Sequence, residues 1–341
     1  FDGTSWIQLG SDIDGESASD NSGYDVRLSG DGSKLAISSP KGDLNGSNSG
    51  EVRVFEYDGV NWIQMGANLN GENAADEFGT SISLDYLGST IVIGAPYNHN
   101  NGLNTGYAKV YQWDGTSWNQ KGLAINGALN NDNAGFDVDI NGNGNTIALG
   151  IRFSDVSASN AGEVKVYDWD GASWVQKGGS WLGDAANDWY GYSVAISSDG
   201  NTLLFTSIRP GREGGADIYS VSRTENGSWG DLQSLSINTL ADEKSPFLHP
   251  DNQTLYFSSN GYKGLGGLDI FYVKKDTAGN WGEPQNIGYP INSEADDLGL
   301  FVSTDGKTAY FASNKLEGKG GWDVYHFPLY KEARPERVLF L

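Results

Sequence analysis

The chain has 341 residues with 48 Gly and no Cys, and 12% of its residues are aromatic. This aromatic content argues against a disordered chain, and the lack of Cys excludes disulfides and thiolate chemistry. With 22 basic and 44 acidic residues the net charge is −22, so we expect no nucleic-acid partner. No apolar run approaches the roughly 20 residues that direct membrane insertion requires.

A tryptophan that recurs at nearly constant spacing reveals an internal repeat. Consecutive copies are 56, 56, 56, 55 and 52 residues apart. Each copy opens a short strand, and an acidic residue follows 13 to 15 residues later. An alternating strand, an Asp-Gly or Asn-Gly type of turn and two further strands come next. The copies are Trp6, Trp62, Trp118, Trp174, Trp229 and Trp281.

This pattern predicts an all-β, six-bladed β-propeller with four antiparallel strands per blade, lettered a to d from the centre outward. The last repeat supplies only three strands, between residues 300 and 327, whereas the N-terminal strand 5–13 has no blade of its own. We expect strand 5–13 to complete blade six, which closes the ring and removes two exposed edges. Residues 1–327 are then one domain, and 328–341 form a tail leading toward a following domain. The alternative is an open array or two half-propellers.

The repeats fall into two groups. In the first three, a long b–c loop such as 40–50 runs into a strand that begins Gly-Glu-Val or Gly-Tyr-Ala. This part, about residues 1–190, resembles the FG-GAP-like repeats of bacterial surface proteins. In the last three, strand c begins Gly-Gly-x-Asp, and about residues 197–337 resemble the TolB/WD-like (WD40-like) repeats of OmpA-family envelope proteins from Bacteroidetes. The resemblance implies a cell-envelope (outer membrane or periplasm) or extracellular location, as part of a larger multidomain protein or complex.

The sequence contains little evidence for catalytic groups. The three histidines, His99, His249 and His326, fall in different blade contexts, so no pair has the spacing of a metal site or a catalytic triad. Among 44 acidic residues some carboxylates will always lie close together, so proximity alone identifies no acid–base pair. We therefore predict a protein that is not an enzyme, with no catalytic residue, metal or cofactor. A glycan hydrolase or lyase is the least favoured alternative.

The recurrent acidic residue precedes the innermost strand of each blade, so its six copies are expected to ring one mouth of the central channel. Because a structural need recurs in every blade, we expect these carboxylates to accept main-chain hydrogen bonds at the blade crossovers. The alternative is a weak cation site, since Ca²⁺ prefers oxygen ligands. The series is Asp20, Asp76, Asp132, Asp188, Asp242 and Asp296.

The repeated tryptophans are expected to anchor the outer strands and to donate their indole N–H to neighbouring carbonyls. Other aromatic residues, near the crossovers and b–c loops, are candidates for a binding surface. These are Tyr97, Trp189, Tyr190, Tyr262 and Trp322. The sequence thus favours a non-catalytic interaction or scaffold propeller that binds a protein partner through its b–c loop face. A carbohydrate-binding or Ca²⁺-dependent adhesin module is the alternative, which would make the partner a cell-surface glycan.

Overall fold

The computed structural model describes residues 9–208, 215–289, 291–313 and 323–335. Its strands form six antiparallel sheets, which are the six blades of a β-propeller with mostly four strands each. The predicted all-β, six-bladed fold is confirmed. Within these residues the only helix is one 3₁₀ turn, Lys331–Ala333, and none is long and apolar enough to cross a membrane.

The blades follow one another along the chain, and strand d of blades one to three is split into two short segments. Blade one contains β1 (Val26–Leu28), β2 (Lys34–Ser39), β3 (Glu51–Tyr57), β4 (Trp62–Gln64) and β5 (Leu69–Asn70). Blade two contains β6 (Ser81–Leu84), β7 (Thr90–Ala95), β8 (Tyr107–Trp113), β9 (Trp118–Gln120) and β10 (Ile125–Asn126). Blade three contains β11 (Ala134–Ile140), β12 (Thr146–Ile151), β13 (Glu163–Trp169), β14 (Trp174–Gln176) and β15 (Trp181–Leu182).

The last three blades have shorter outer strands. Blade four contains β16 (Ser193–Ile196), β17 (Thr202–Ser207), β18 (Asp217–Ser222) and β19 (Gln233–Ser234). Blade five contains β20 (Glu243–Leu248), β21 (Thr254–Ser259), β22 (Asp269–Lys274) and β23 (Gln285–Asn286). Blade six contains β24 (Leu298–Val302), β25 (Thr308–Ser313) and β26 (Asp323–Pro328).

The hydrophobic core lies between neighbouring blades. Strand b is buried along most of its length, as in β7 and β12, because both faces of each central strand are covered by other blades. Five apolar clusters occupy the five junctions between consecutive blades. The first, for example, joins Val52 and Val54 of blade one to Ile82 and Ile91 of blade two. Each blade therefore needs its neighbours to bury its faces.

The junction between blades six and one closes the ring. In the channel-facing hairpins, the Thr304 hydroxyl donates a hydrogen bond to the Gly30 carbonyl. At the outer rim, the indole of Trp62 donates to the carbonyl of Leu9 over 3.0 Å. Leu9 thus lies beside blade one, where strand d of blade six is expected. Of the predicted strand 5–13, residues 9–13 form no strand in the structure, and residues 5–8 fall outside the described residues.

The first part of the predicted C-terminal tail packs against blades five and six. Leu329 and Ala333 are buried in their shared apolar cluster. The Tyr256 hydroxyl donates to the Ala333 carbonyl over 2.6 Å, and Nζ of Lys274 donates to the Arg334 carbonyl over 2.6 Å. Residues 329–335 are therefore attached to the propeller surface.

Candidate binding site at the channel mouth

The innermost strands of all six blades surround a central cavity of about 440 Å³. The b–c loops and blade crossovers lie at one end of this channel, which we call the loop face. The a–b and c–d hairpins lie at the other end, which we call the hairpin face. This division follows from antiparallel pairing, since strands a and c both begin where strand b ends.

Polar side chains in the channel join adjacent innermost strands. Asp137 accepts hydrogen bonds from the Ser81 hydroxyl (2.8 Å) on one side and from the Val194 N–H (2.7 Å) on the other. Asp139 binds the Ser83 hydroxyl (2.6 Å) and the Ile196 N–H (2.7 Å) in the same way. These carboxylates therefore connect three consecutive blades.

Arg27 is the cation within this acidic channel. Its Nε lies 3.4 Å from Asp25 and donates to the Ile82 carbonyl, and Asp137 and Asp139 are close enough to raise the pKa of Arg27 further. Burial raises the pKa of Asp137 to about 6 and also raises that of Asp139. The sequence analysis missed this network, although Asp25, Ser81 and Asp137 are spaced 56 residues apart.

The recurrent acidic residues hold the crossovers. Oδ2 of Asp132 accepts hydrogen bonds from the N–H groups of Ala128 (2.9 Å) and Leu129 (2.7 Å). Asp76 and Asp188 likewise accept hydrogen bonds from the N–H groups of the residues four and three positions before them in the chain. None of the six is among the residues that line the central cavity. Within the described residues, no group of three or more His, Asp or Glu is arranged to hold a metal ion.

At the crossovers that lead into blades five and six, the acidic residue that holds the main chain lies one position later than the predicted Asp. There Glu243 accepts the Thr239 N–H (2.8 Å) and Asp297 accepts the Ser293 N–H (2.6 Å). The neighbouring Asp242 and Asp296 instead bind the main chain just before strand c, at Ala216 and Leu268. The assignment of Asp242 and Asp296 to the repeat position was wrong because an Asp directly precedes the crossover acid in both blades. Glu243 follows Trp229 by 14 residues, as Asp132 follows Trp118, whereas Asp297 follows Trp281 by 16.

The five predicted aromatic binding residues do not form one surface. Tyr190 is buried and packs against Phe205 with ring centroids 5.1 Å apart, so it belongs to the core and not to an exposed surface. Tyr262 is half-buried, packs against Phe271 and donates its hydroxyl to the Ile237 carbonyl. Trp322 lies outside the described residues.

Trp189 and Tyr97 remain half-buried at the loop face. The ring of Trp189 stacks nearly parallel to that of Tyr192, with centroids 6.4 Å apart and an interplanar angle of 12°. Tyr97, Tyr192 and Glu77 lie near Tyr24, whose pKa is raised by burial first and by these neighbours next. Tyr24 is nevertheless 59% exposed. These rings therefore share one side of the channel mouth.

Arg152, which directly follows β12, lies at the centre of these aromatic residues. Its guanidinium carbon is 4.4 Å from the ring centroid of Trp189, 4.6 Å from Phe153 and 4.7 Å from both Phe136 and Tyr192. We call these five residues the mouth cluster. Phe136 and Tyr192 also line the central cavity, so the cluster borders the channel. Cation–π attraction stabilises such an arrangement.

The sequence analysis missed four members of the mouth cluster. The available indication was the residue type at equivalent repeat positions. Positions 40, 96 and 152 are equivalent in the first three repeats and hold Pro, Pro and Arg. The third repeat therefore has an arginine where the first two have proline. Positions 24, 80, 136 and 192 hold Tyr, Thr, Phe and Tyr, and therefore place aromatic rings at the mouth in three of the first four blades.

Comparisons with known proteins agree with this architecture. The FG-GAP repeat family matches residues 70–111, which include most of blade two. No curated protein matches the chain in sequence. Among solved structures, hydrazine synthase from Kuenenia stuttgartiensis is 13% identical with a TM-score of 0.54, over 90% of this chain and 76% of its own.

Two further solved structures match the chain. One, from Bacteroides uniformis, is described as a candidate 6-phosphogluconolactonase and is 12% identical with a TM-score of 0.55, over 86% of this chain and 78% of its own. The other, described as a candidate TolB from Agrobacterium tumefaciens, is 14% identical with a TM-score of 0.47, over 89% of this chain and 88% of its own. At these identities the likenesses to the first two structures show a shared fold and nothing about activity.

Proposed function

We propose that this chain is a non-catalytic interaction module that binds a protein partner through its loop face. The observation that carries the proposal is the mouth cluster, together with the adjoining Tyr24 and Tyr97. Trp, Tyr and Arg are the residue types that contribute most to protein–protein binding energy. Their concentration beside the channel mouth supports a binding role for this face.

The hairpin face offers less for recognition. Its c–d turns are fixed by their own side chains, as where Asp114 accepts the N–H groups of Thr116 and Ser117 over 2.8 Å each. The b–c loops are longer, and loops on a rigid scaffold commonly carry binding residues. The loop face can therefore vary in length and sequence between blades more freely than the hairpin face can.

The channel carboxylates support a structural role. Both oxygens of Asp137 and Asp139 accept hydrogen bonds from neighbouring blades. Using either residue as a catalytic acid or base would disrupt these bonds between blades. We further propose an envelope or extracellular setting within a larger protein, on the resemblance of the repeats to those of surface and envelope proteins.

The proposal is tested by changing the loop face without changing the core. The double substitution Tyr97→Ala and Trp189→Ala should weaken capture of the native partner at least about tenfold. Because Trp189 also packs against Arg152 and Tyr192, circular dichroism must show that the variant remains folded at the temperature of the capture assay. Val60→Ala on the hairpin face, where Val60 is 69% exposed, is the matched control and should leave capture unchanged. Unchanged capture by the loop-face variant would contradict the proposal.

A further inference from the structure

We propose that the mouth cluster binds a carboxylate of the partner, with Arg152 as the anchoring residue, so that the partner presents an acidic peptide segment at the channel mouth. This inference rests on the proposed function and specifies the chemistry of its binding site. It follows from the lack of hydrogen-bond acceptors for Arg152 and Trp189, from their positions in the repeat, and from the charges nearby.

Arg152 is the one arginine of the described residues without an acceptor for its N–H groups. Arg27 and Arg223 lie 3.4 Å and 2.7 Å from Asp25 and Asp168, and Arg53 and Arg334 donate to main-chain carbonyls. Nε of Arg53 and Nε of Arg152 are both buried without a hydrogen-bond partner, but Arg53 donates through its Nη2 atom, whereas no acceptor is present for Arg152 among the described residues. Leaving a buried N–H donor unpaired is unfavourable.

A second unpaired donor lies in the same cluster. Nε1 of Trp189 is also buried without an acceptor, as is Nε1 of Trp229, whereas the indoles of Trp62, Trp118 and Trp174 all donate to carbonyls. The arginine beside Trp229 is Arg223, which is paired with Asp168, so in the described part of the chain both donors are unpaired only at Trp189. The guanidinium carbon of Arg152 is 4.4 Å from the Trp189 ring. Two neighbouring donors that lack acceptors indicate a site for a group that brings acceptor oxygens.

The backbone at Trp189 is unusual for its residue type. Positions 21, 77, 133 and 189 all adopt positive φ, between 48° and 57°. The first three hold Asn, Glu and Asn, whereas the fourth holds Trp. Bulky residues are disfavoured in this left-handed region by about 1 kcal/mol or more. Such strain is typical of functional positions, and here it places Trp189 against Arg152.

The nearby charges favour a carboxylate over a phosphate. Arg27 is the one cation beside Asp25, Asp137 and Asp139 in the adjoining channel, so a doubly charged anion would be repelled more strongly than a singly charged one. Arginine binds carboxylates through two parallel hydrogen bonds. Tyr24 and Tyr97 beside the cluster can pack against the residues flanking an acidic side chain.

The aromatic faces favour a peptide over an acidic sugar. A sugar ring needs an open aromatic face on which to stack. Trp189 has Arg152 at 4.4 Å over its ring and Tyr192 stacked against it, and Phe153 packs edge-on at 6.0 Å. The Trp189 ring is therefore already covered by its neighbours, and the unpaired donors are what the cluster offers to a ligand.

The experiment uses the full chain and three probes: a capped tetrapeptide with one glutamate beside one phenylalanine, its glutamine analogue, and a galacturonate trisaccharide. Binding is followed by calorimetry and by the ¹⁵N resonance of the Arg152 Nε–H group. The glutamate peptide should shift this resonance and bind at least about tenfold more tightly than the glutamine peptide. Arg152→Gln should remove this difference while the protein remains folded.

Arg223→Gln is the matched control, because Arg223 also lies over a tryptophan, 4.8 Å from the Trp229 ring, but is paired with Asp168. It should leave peptide binding unchanged. Equal binding of the two peptides, or full binding by Arg152→Gln, would overturn the inference. So would Arg152-dependent binding of the trisaccharide without the peptide, or no binding of any probe. If both peptides bind equally and Trp189→Ala removes that binding, the proposed function stands and only the inference fails.

Discussion

The indole Nε1 of Trp118 donates a 2.9 Å hydrogen bond to the carbonyl of Met65, which lies 53 residues earlier in the outer strand of the preceding blade. The same bond joins Trp174 to Lys121 over 2.7 Å and Trp62 to Leu9 over 3.0 Å. The recurrent tryptophan thus connects neighbouring blades at the outer rim, as the channel carboxylates do at the centre. The bond is present for these three copies, whereas Nε1 of Trp229 is buried without a partner.

Replacing Trp118 tests this outer contact. Trp118→Phe keeps an aromatic ring but removes the indole donor, so the free energy of unfolding should fall by about 1 kcal/mol beyond the effect of lost volume. Trp113→Phe is the control, because Trp113 packs against Trp118 with centroids 5.4 Å apart and no hydrogen bond of its indole is present among the described residues. Equal losses in urea unfolding would show that the indole hydrogen bond contributes nothing measurable.

The closure of the ring can be tested through Trp62. If the N-terminal segment lies against blade one as the outer part of blade six, removing residues 1–14 takes away the Leu9 carbonyl that accepts the Trp62 indole hydrogen bond. Trp62→Phe should then destabilise the full chain by about 1 kcal/mol but have little further effect on the truncated chain. A double-mutant cycle by urea unfolding measures this coupling. Additive losses would contradict the proposed position of the N-terminal strand.

The crossover carboxylates predict a metal-independent effect. Asp132→Ala leaves the N–H groups of Ala128 and Leu129 without an acceptor, so the unfolding free energy should fall by about 1–3 kcal/mol. Asp132→Asn retains one oxygen acceptor and should cost less. Both results should be the same with and without a chelator. A wild-type melting temperature that falls on chelation, with no such fall in Asp132→Ala, would instead indicate a cation site at this carboxylate.

Asp137 predicts a dependence of stability on pH. Its pKa is raised by burial from 3.8 in the unfolded chain to about 6, so the folded state binds this proton more tightly. The contribution of Asp137 to stability is therefore complete below about pH 4, is lost as pH rises to about 6, and is constant above that. The unfolding free energy of Asp137→Asn minus that of wild type should rise by about 1–3 kcal/mol across this window.

Asp114→Asn is the control for this pH series. Main-chain N–H groups lower the pKa of Asp114, so its contribution to stability is present above its unfolded pKa and is lost as the pH falls through the lower folded value. The difference between this variant and wild type should therefore change in the opposite direction, and at lower pH. A flat difference for Asp137→Asn between about pH 4 and pH 7 would show that its carboxyl titrates normally in the folded protein.

The spacing of one repeated residue was sufficient to predict the blade number, because one repeat of chain forms one blade of the ring. The same comparison would have identified Tyr190 as a core residue, since the equivalent Ala134 and Phe78 are apolar and buried. Arg152 has no local motif, and its contact with Trp189 depends on the path of a loop, so a single sequence could not predict their association.

The most direct test of the account is to map where the partner touches the propeller. A photo-reactive phenylalanine derivative is introduced at Tyr97 on the loop face and, in a separate variant, at Val60 on the hairpin face, and cross-linked products are compared in the native host. The account predicts a specific adduct from position 97 that is lost when Arg152→Gln and Trp189→Ala are added, and none from position 60. A specific adduct from position 60 alone would contradict it.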